Sequence, residues 1–170
     1  LLSTLVLMFG CDKENHGQFK PASITLREHG ELKELVDEKL IFTDSNGAKW
    51  TAPKGTLTDG ASVPRLLLSV TDGRWDVGFL KAAVVHDAYC QEDNETLTPD
   101  QYHKKPWKSV HRMFYEASMA GGTSPLKAKL MFAAVWLAGP RWGDPDMELQ
   151  QVSGEMLTRG FSGAKKWIEQ

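Results

Sequence analysis

The feature that most constrains the fold is a mainly apolar stretch at residues 79–90, which predicts a buried helix. His86 and Asp87 stand near its end. The predicted buried stripe comprises Phe79, Ala82, Ala83, His86, Tyr89 and Cys90. A carboxylate in such an apolar setting is unfavourable unless it meets a cation, a metal or hydrogen-bond donors. Other segments of the chain must therefore supply partners for Asp87.

The His86-Asp87 pair has two interpretations. In the structural one, His86 is a core histidine bonded to a backbone carbonyl, and Asp87 simply lies near a helix end. In the functional one, the two side chains belong to a catalytic or metal site. Other polar residues that could converge on the pair favour the functional interpretation.

Length and composition describe one globular domain. The chain has 170 residues, of which 41% are hydrophobic and 25% are charged, and its formal net charge is −2. This is enough chain to bury a real core. No run of like charge stands out, so we expect no nucleic-acid partner and no electrostatic attraction to an anionic membrane.

Residues 1–11 are uncharged and mostly apolar, and a charged segment follows at Asp12. The apolar length suits the core of a signal peptide and is too short to cross a bilayer, which takes about 20 residues. Gly10 directly before Cys11 resembles the bacterial lipoprotein processing site, where the cysteine receives the lipid. We therefore expect residues 1–19 to be a leader and tether, with Cys11 anchoring the protein to a membrane on the periplasmic side of a bacterial cell envelope.

The chain has two cysteines, Cys11 and Cys90, and neither offers metal-site spacing such as Cys-x-x-Cys. If Cys11 carries lipid, Cys90 has no disulfide partner within the chain. Cys90 is then expected to be a small buried hydrophobe on its helix. A catalytic thiol at Cys90 is the less favoured alternative.

The first half of the chain, from about Lys20 to Thr58, has the pattern of β-strands. A hairpin-turn signal, Ser45-Asn46-Gly47, separates two of them. The second half predicts helices instead. We therefore predict an α+β fold in which a small antiparallel sheet packs with a helical half, as a single domain over residues 20–170.

Four helices are predicted in the second half. The first begins near Asp76, the second runs from about Trp107 to Ala120, and the third follows Pro125 and ends at Ala138. The third is almost wholly apolar over its last two turns and should be the most buried. A further amphipathic helix is predicted from about residue 146 to 157.

Two segments could bring polar side chains to the pair. The turn-rich segment 58–65 joins the strands to the helices and can deliver Asp59 to their junction, where sites are often built. Its alternative role is structural, with Asp59 bonded to its own backbone. His111 shares one face of the second helix with Trp107 and Phe114, so it is expected to point inward.

Several stretches, in this order, resemble a known family. They are Pro53-Lys54-Gly55, Thr58–Arg65 (TDGASVPR), Ala82–Tyr89 (AAVVHDAY), Phe114 and the closing segment Trp136–Trp142. Together they are similar to a bacterial and phage family called domain of unknown function 1353, over roughly residues 35–143. Members typically carry an aspartate on the second helix where this chain has His111. The resemblance implies a prophage-related context and brings no established reaction.

The combined residue types indicate metal chemistry. His86, Asp87 and His111 supply nitrogen and oxygen donors that suit a divalent metal, with zinc expected rather than calcium. Such an ion activates water for hydrolysis of an ester, an amide or a phosphate, and a spare carboxylate can move the proton. We therefore expect a metal-assisted hydrolase with His86, Asp87 and Asp59 as its catalytic residues.

Three alternatives stay open. The sequence His86-Asp87 followed by Tyr89-Cys90 is similar to the active-site helix of secreted phospholipases, but their glycine-rich calcium loop and dense disulfides are missing. HD-type phosphohydrolases also contain an adjacent His-Asp pair, yet they are all-helical and need an earlier helical histidine. The third alternative is a non-enzymatic, prophage-linked lipoprotein that binds or blocks a partner in the envelope.

Overall fold

The computed structural model describes residues 15–60 and 75–143. Short strands occupy the first segment and α-helices the second, which confirms the predicted α+β fold. Cys11, the loop residues 61–65 and the helix predicted around 146–157 lie outside the described residues.

The strands form two small antiparallel sheets where the sequence pattern predicts one. In chain order they are β1 (Gln18–Lys20), β2 (Leu26–His29), β3 (Leu32–Leu35), β4 (Lys39–Thr43), β5 (Lys49–Pro53) and β6 (Leu57–Thr58). One sheet has the order β1-β4-β5 and the other β2-β3-β6. Strand β6 lies at one edge of the second sheet. Thr58, its last residue, and Asp59, which follows it, are therefore at the edge of that sheet.

The turn between β4 and β5 is the hairpin that the Asn-Gly pair predicts. Gly47 has a φ of +83°, a conformation that glycine adopts without steric strain. The side chain of Asp44 accepts a hydrogen bond of 2.9 Å from the backbone N–H of Ala48, which closes the turn. The resulting register pairs Phe42 with Trp50, and both side chains are buried.

Three α-helices follow the strands in the described part of the chain. They are α1 (Val77–Cys90), α2 (Trp107–Ala120) and α3 (Pro125–Ala138), and a short 3-10 helix at Glu92–Asn94 follows α1. Asp76 caps α1 by accepting a hydrogen bond of 2.8 Å from Gly78 N–H. None of the described helices is long and apolar enough to cross a bilayer.

Helix α1 is the centre of the fold. All members of the predicted stripe are buried, but so are Val84, Val85, Asp87 and Ala88 on its other faces. The helix packs against β4, β5 and β6 as well as α2. From Ala82 to Cys90 every residue is buried, so this part of the helix has no solvated face for a charged residue. Asp87 is consequently enclosed even though it lies about 100° around the helix from His86.

A close backbone contact sets the spacing of α1 and α2. A Cβ atom on Gly121 would lie 2.2 Å from the carbonyl oxygen of Gly78, so any larger residue requires a backbone shift. Glycine at the end of α2 therefore lets this helix approach the start of α1. The contact helps to hold His111 of α2 against His86 of α1.

Candidate metal centre

His86 and Asp87 lie in the last turns of α1, and each residue is only 6% exposed. The end of this helix is firmly attached to its surroundings. Asn94 Nδ2 donates a hydrogen bond of 3.0 Å to the carbonyl of Asp87, and Thr98 Oγ1 donates one of 2.8 Å to the carbonyl of Ala88. The Asp87 carbonyl also accepts the backbone N–H of Gln91, whereas the Ala88 carbonyl lies in the last turn, where a helix leaves carbonyls without intrahelical partners. The helix therefore presents the two side chains in fixed positions.

The carboxyl group of Asp87 has two side-chain partners. Its Oδ2 accepts a hydrogen bond of 2.5 Å from Thr58 Oγ1, and its Oδ1 lies 3.2 Å from His86 Nδ1. Burial raises the pKa of Asp87, the negative charge of Asp59 acts in the same direction, and His86 and Thr58 oppose the rise. A cation beside the carboxylate would relieve this electrostatic penalty.

His111 contacts the other nitrogen of the His86 ring. Its Nδ1 lies 3.0 Å from His86 Nε2, and the His111 side chain is fully buried. Burial lowers the pKa of His111 to about 2; His86 and Arg141 lower it further, whereas the Pro140 carbonyl raises it. His111 is therefore neutral near pH 7, with one ring nitrogen protonated and the other an acceptor.

The surroundings of His111 determine which nitrogen carries the proton. His111 Nε2 makes no hydrogen bond of standard geometry with a described residue, but the Pro140 carbonyl favours a proton on that nitrogen. We assign His111 Nδ1 as the acceptor on this basis. His86 Nε2 then donates the hydrogen bond, and His86 Nδ1 faces Asp87 Oδ1 at 3.2 Å.

Cys90, which the sequence analysis predicted to be a buried hydrophobe and not a metal ligand, lies beside His86 in the site. Its Sγ lies 3.3 Å from His86 Nδ1, because residues four apart on a helix share a face. The thiol is buried as predicted, and burial raises its pKa well above the usual range, with Asp87 and Asp59 adding to the effect. A protonated thiol is a poor nucleophile, whereas a bound metal ion would displace its proton.

The candidate metal centre borders a cavity of about 200 Å³. His86, Asp87, Cys90 and Asp59 all line it, so the predicted catalytic residues reach a common space. Asp59 is within electrostatic reach of the others, since its charge raises the pKa values of Asp87 and Cys90. His111 is not among the described lining residues and lies behind the His86 ring.

The donor atoms of His86, Asp87 and Cys90 lie close enough together that they could hold a metal ion. One ligand atom from each lies within 4.8 Å of the other two. Tetrahedral zinc with bonds of about 2.0–2.3 Å places its ligand atoms roughly 3.3–3.6 Å apart. The observed separations from His86 Nδ1, 3.2 Å to Asp87 and 3.3 Å to Cys90, are close to that range. A set of nitrogen, oxygen and sulfur donors is suited to zinc.

Thr58 is a second residue that the sequence pattern did not single out as part of the site, and its role can be tested. We expect Thr58→Val to lower the free energy of unfolding by about 1.5–3 kcal/mol, the range for a hydrogen bond to a charged group. The substitution also removes the hydroxyl that accepts from Gly60 N–H. Urea denaturation monitored by circular dichroism measures the loss.

Thr56 provides the matched control, because it is equally buried and donates to the neutral carbonyl of Pro53. Thr56→Val should lower the stability by only about 0.5–1.5 kcal/mol, and Thr58→Ser should retain most of the wild-type stability. Equal losses in Thr56→Val and Thr58→Val would show that the bond to Asp87 has no special strength.

Two curated proteins of Sinorhizobium fredii are similar to this chain. The protein named uncharacterized protein y4iH is 43% identical over 153 residues, covering 79% of this chain and 60% of that protein. The protein named uncharacterized protein y4jT is 39% identical over 101 residues, covering 59% of this chain and 27% of that protein. The chain thus spans less than two thirds of the length of either relative. No solved structure matches it.

The sequence also matches the profile of a protein family over residues 35–135, a segment that includes strands β4 to β6, helices α1 and α2, and nearly all of α3. This segment contains every described residue of the candidate metal centre. The chain belongs to the family described as protein of unknown function (DUF1353).

Proposed function

We propose that this protein is a metal-dependent hydrolase in which His86, Asp87 and Cys90 bind one divalent ion, preferably zinc. The observation that carries the proposal is the convergence of their three donor atoms within 4.8 Å at the wall of a cavity. Catalytic zinc sites commonly use three protein ligands and leave a further position for water or substrate. The cavity provides the space for that further position.

In this proposal His111 positions His86 in place of the ligand role predicted from the sequence. Histidines that bind metals usually donate their second ring N–H to an acceptor, which fixes the ring and its tautomer. The bond of 3.0 Å from His86 Nε2 to His111 Nδ1 has this form. Since His111 is buried and neutral, it accepts the bond without adding a positive charge beside the ion.

The reaction assigned to the site is hydrolysis of an ester, amide or phosphate bond. A divalent ion supplies a Lewis acid that activates water and polarises the bond under attack. Asp59 accepts a proton as the water oxygen attacks, and it returns the proton to the leaving group when the original bond breaks. His86 and Asp87 hold their positions through His111 and Thr58 during this cycle.

The test is metal-dependent hydrolysis of para-nitrophenyl acetate and para-nitrophenyl phosphate. Zinc-loaded protein should release para-nitrophenol from at least one of them, chelation should stop the release, and added zinc should restore it. His86→Ala should be inactive, whereas His29→Ala, an exposed histidine at the end of β2, should keep the wild-type rate. A rate that survives chelation, or full activity in His86→Ala, would contradict the proposal and favour the non-enzymatic alternative.

The positioning role of His111 leads to a separate prediction. His111→Phe removes the acceptor for His86 Nε2 and should weaken zinc binding by about 10–100-fold, the usual effect of losing an outer hydrogen-bond partner. His111→Gln offers a side-chain carbonyl instead and should recover much of the affinity. Competition titration with a chromophoric chelator measures both. If His111 were a ligand itself, His111→Gln would lose affinity as severely as His111→Phe.

We also propose that lipid on Cys11 tethers the protein to a membrane on the periplasmic side of the envelope. The support is sequence alone: the uncharged and mostly apolar residues 1–9, Gly10 before the cysteine and the charged segment that follows. In a bacterial host that expresses the native reading frame, the wild type should enter the membrane fraction with a lipid-modified Cys11. Cys11→Ser should lose both the modification and the membrane association. Unmodified wild-type protein in the cytoplasm would contradict this proposal.

A further inference from the structure

Asn94 is a fully buried polar residue at the end of the 3-10 helix that follows α1. Its Oδ1 accepts a hydrogen bond of 2.8 Å from the backbone N–H of Leu57, and its Nδ2 donates one of 2.8 Å to the Leu57 carbonyl. The other proton of Nδ2 goes to the carbonyl of Asp87, at 3.0 Å, in the last turn of α1. The amide group of Asn94 therefore joins strand β6 to the end of α1.

The two bonds to Leu57 take the place of a further strand. Strand β6 pairs with β3 on one side and forms the edge of its sheet. An edge strand presents backbone N–H and C=O groups without a strand partner, and Asn94 pairs with both groups of Leu57. The backbone of Asn94 is held as well, since its N–H donates to the Gln91 carbonyl and its own carbonyl accepts from Thr98 N–H.

This link determines where the side chain of Thr58 lies. Thr58 directly follows Leu57 on β6, and its Oγ1 donates to Asp87 Oδ2 at 2.5 Å. Asn94 and the Thr58–Asp87 bond therefore connect the same two segments of backbone. A strand that slips by one residue turns its side chains to the other face, so the hydroxyl meets the carboxylate in one register alone. Metal sites require their ligands within about 0.5 Å of the productive positions.

We propose that Asn94 is a positioning residue of the metal centre: it fixes β6 against the end of α1, so that Thr58 holds the Asp87 carboxylate in the orientation that binds the ion. This inference rests on the proposed metal-binding function. Loss of Asn94 should lower metal affinity in protein that is still folded, because His86 and Cys90 stay on their helix while the Asp87 carboxylate loses its fixed orientation.

Asn94→Ala tests the proposal by competition titration of zinc against a chromophoric chelator, at a temperature where circular dichroism shows folded protein. Zinc affinity should fall by about 10–100-fold, the usual effect of losing an outer hydrogen-bond partner. The matched control is Thr98→Val. Thr98 is buried and its hydroxyl donates to the Ala88 carbonyl at the same helix end, but its described hydrogen bonds do not reach β6.

Thr98→Val should keep the wild-type zinc affinity. Wild-type affinity in Asn94→Ala would overturn the inference. Equal losses in the two variants would overturn it as well, because general damage to the end of α1 would then explain both.

A double-mutant cycle shows whether Asn94 acts through Thr58. If it does, Thr58→Val alone should lower zinc affinity by a similar factor. The double variant should then bind zinc within about twofold of the weaker single variant, since the two residues belong to one network. Losses that multiply in the double variant would overturn the inference.

Hydrogen exchange in the wild type tests the same link without a substitution. If Asn94 strengthens zinc binding, bound zinc must stabilise the Asn94 link by the same factor. The Leu57 amide should therefore exchange more slowly with zinc, and by a larger factor than the Asp44 amide, which donates to Ala48 in the hairpin between β4 and β5. Equal slowing of the two amides, or none, would overturn the inference. If the wild type binds no zinc, the proposed function itself fails.

Discussion

Replacement of Asp87 by asparagine should nearly abolish zinc binding while leaving the fold intact. The amide has almost the same shape as the carboxyl group and can still accept the hydrogen bond from Thr58 Oγ1. It lacks the negative charge that draws a divalent ion into this buried position. The affinity should therefore fall by more than the roughly 10–100-fold that accompanies the loss of an outer partner. Titration calorimetry with zinc measures the loss.

The control for this variant is Asp93→Asn, which neutralises an exposed carboxylate just beyond the end of α1. Zinc affinity should be the same in Asp93→Asn and in the wild type, and far-ultraviolet circular dichroism should show the same helix content in all three proteins. A folded Asp87→Asn variant that binds zinc as tightly as the wild type would remove Asp87 from the metal centre.

Asp59→Asn should have the second large effect, and this effect should appear in the reaction rate. If Asp59 moves the proton between water and the leaving group, its loss lowers kcat by about 10²–10⁴-fold, the usual contribution of a general acid–base group. Zinc affinity should change little, because Asp59 is not one of the three clustered donors. Initial rates with para-nitrophenyl butyrate on zinc-saturated protein provide the measurement.

A matched control for Asp59 is Asp100→Asn, another aspartate-to-asparagine change at an exposed residue. Its kcat should equal that of the wild type. Loss of zinc binding in Asp59→Asn would assign this residue to the metal centre as a ligand. Wild-type kcat in Asp59→Asn would assign the proton transfer to another group.

The helices of the second half could be predicted from the sequence because their signals are local. Pro125 begins α3, Ala138 precedes a glycine-proline pair, and the glycines after Ala120 end α2. Each signal acts within a few residues of the helix end that it determines. The burial of His111 also followed from helical spacing, and the side chain is fully enclosed.

The division of the strands into two sheets could not be predicted in the same way. Strand β1 pairs with β4, which places Phe19 opposite Phe42 across more than twenty residues of chain. Strand β3 lies between β2 and β6, although its sequence, Leu32-Lys33-Glu34-Leu35, lacks the alternation of apolar and polar residues that is typical of a strand. Strand pairing depends on such distant partners, and local sequence patterns carry little information about them.

The candidate site shows the same difference between local and distant information. The position of His86 and Asp87 on a buried helix follows from apolar spacing, and both residues are buried. His86 and Cys90 are four residues apart, which indicates that both side chains lie on the same face of the helix. No Cys-x-x-Cys motif marks Cys90 as a metal ligand. Thr58 reaches Asp87 only because β6 packs against α1, a tertiary contact that no sequence motif indicates.

The central claim is that His86, Asp87 and Cys90 bind one divalent ion, and cobalt substitution tests it most directly. In a Cys11→Ser background, Cys90 is the one remaining thiol of the chain. One equivalent of cobalt should then produce a thiolate-to-cobalt charge-transfer band in the near ultraviolet. The band should disappear in Cys90→Ser and persist in His111→Gln. Absence of the band in protein that contains Cys90, or its persistence in Cys90→Ser, would contradict the account.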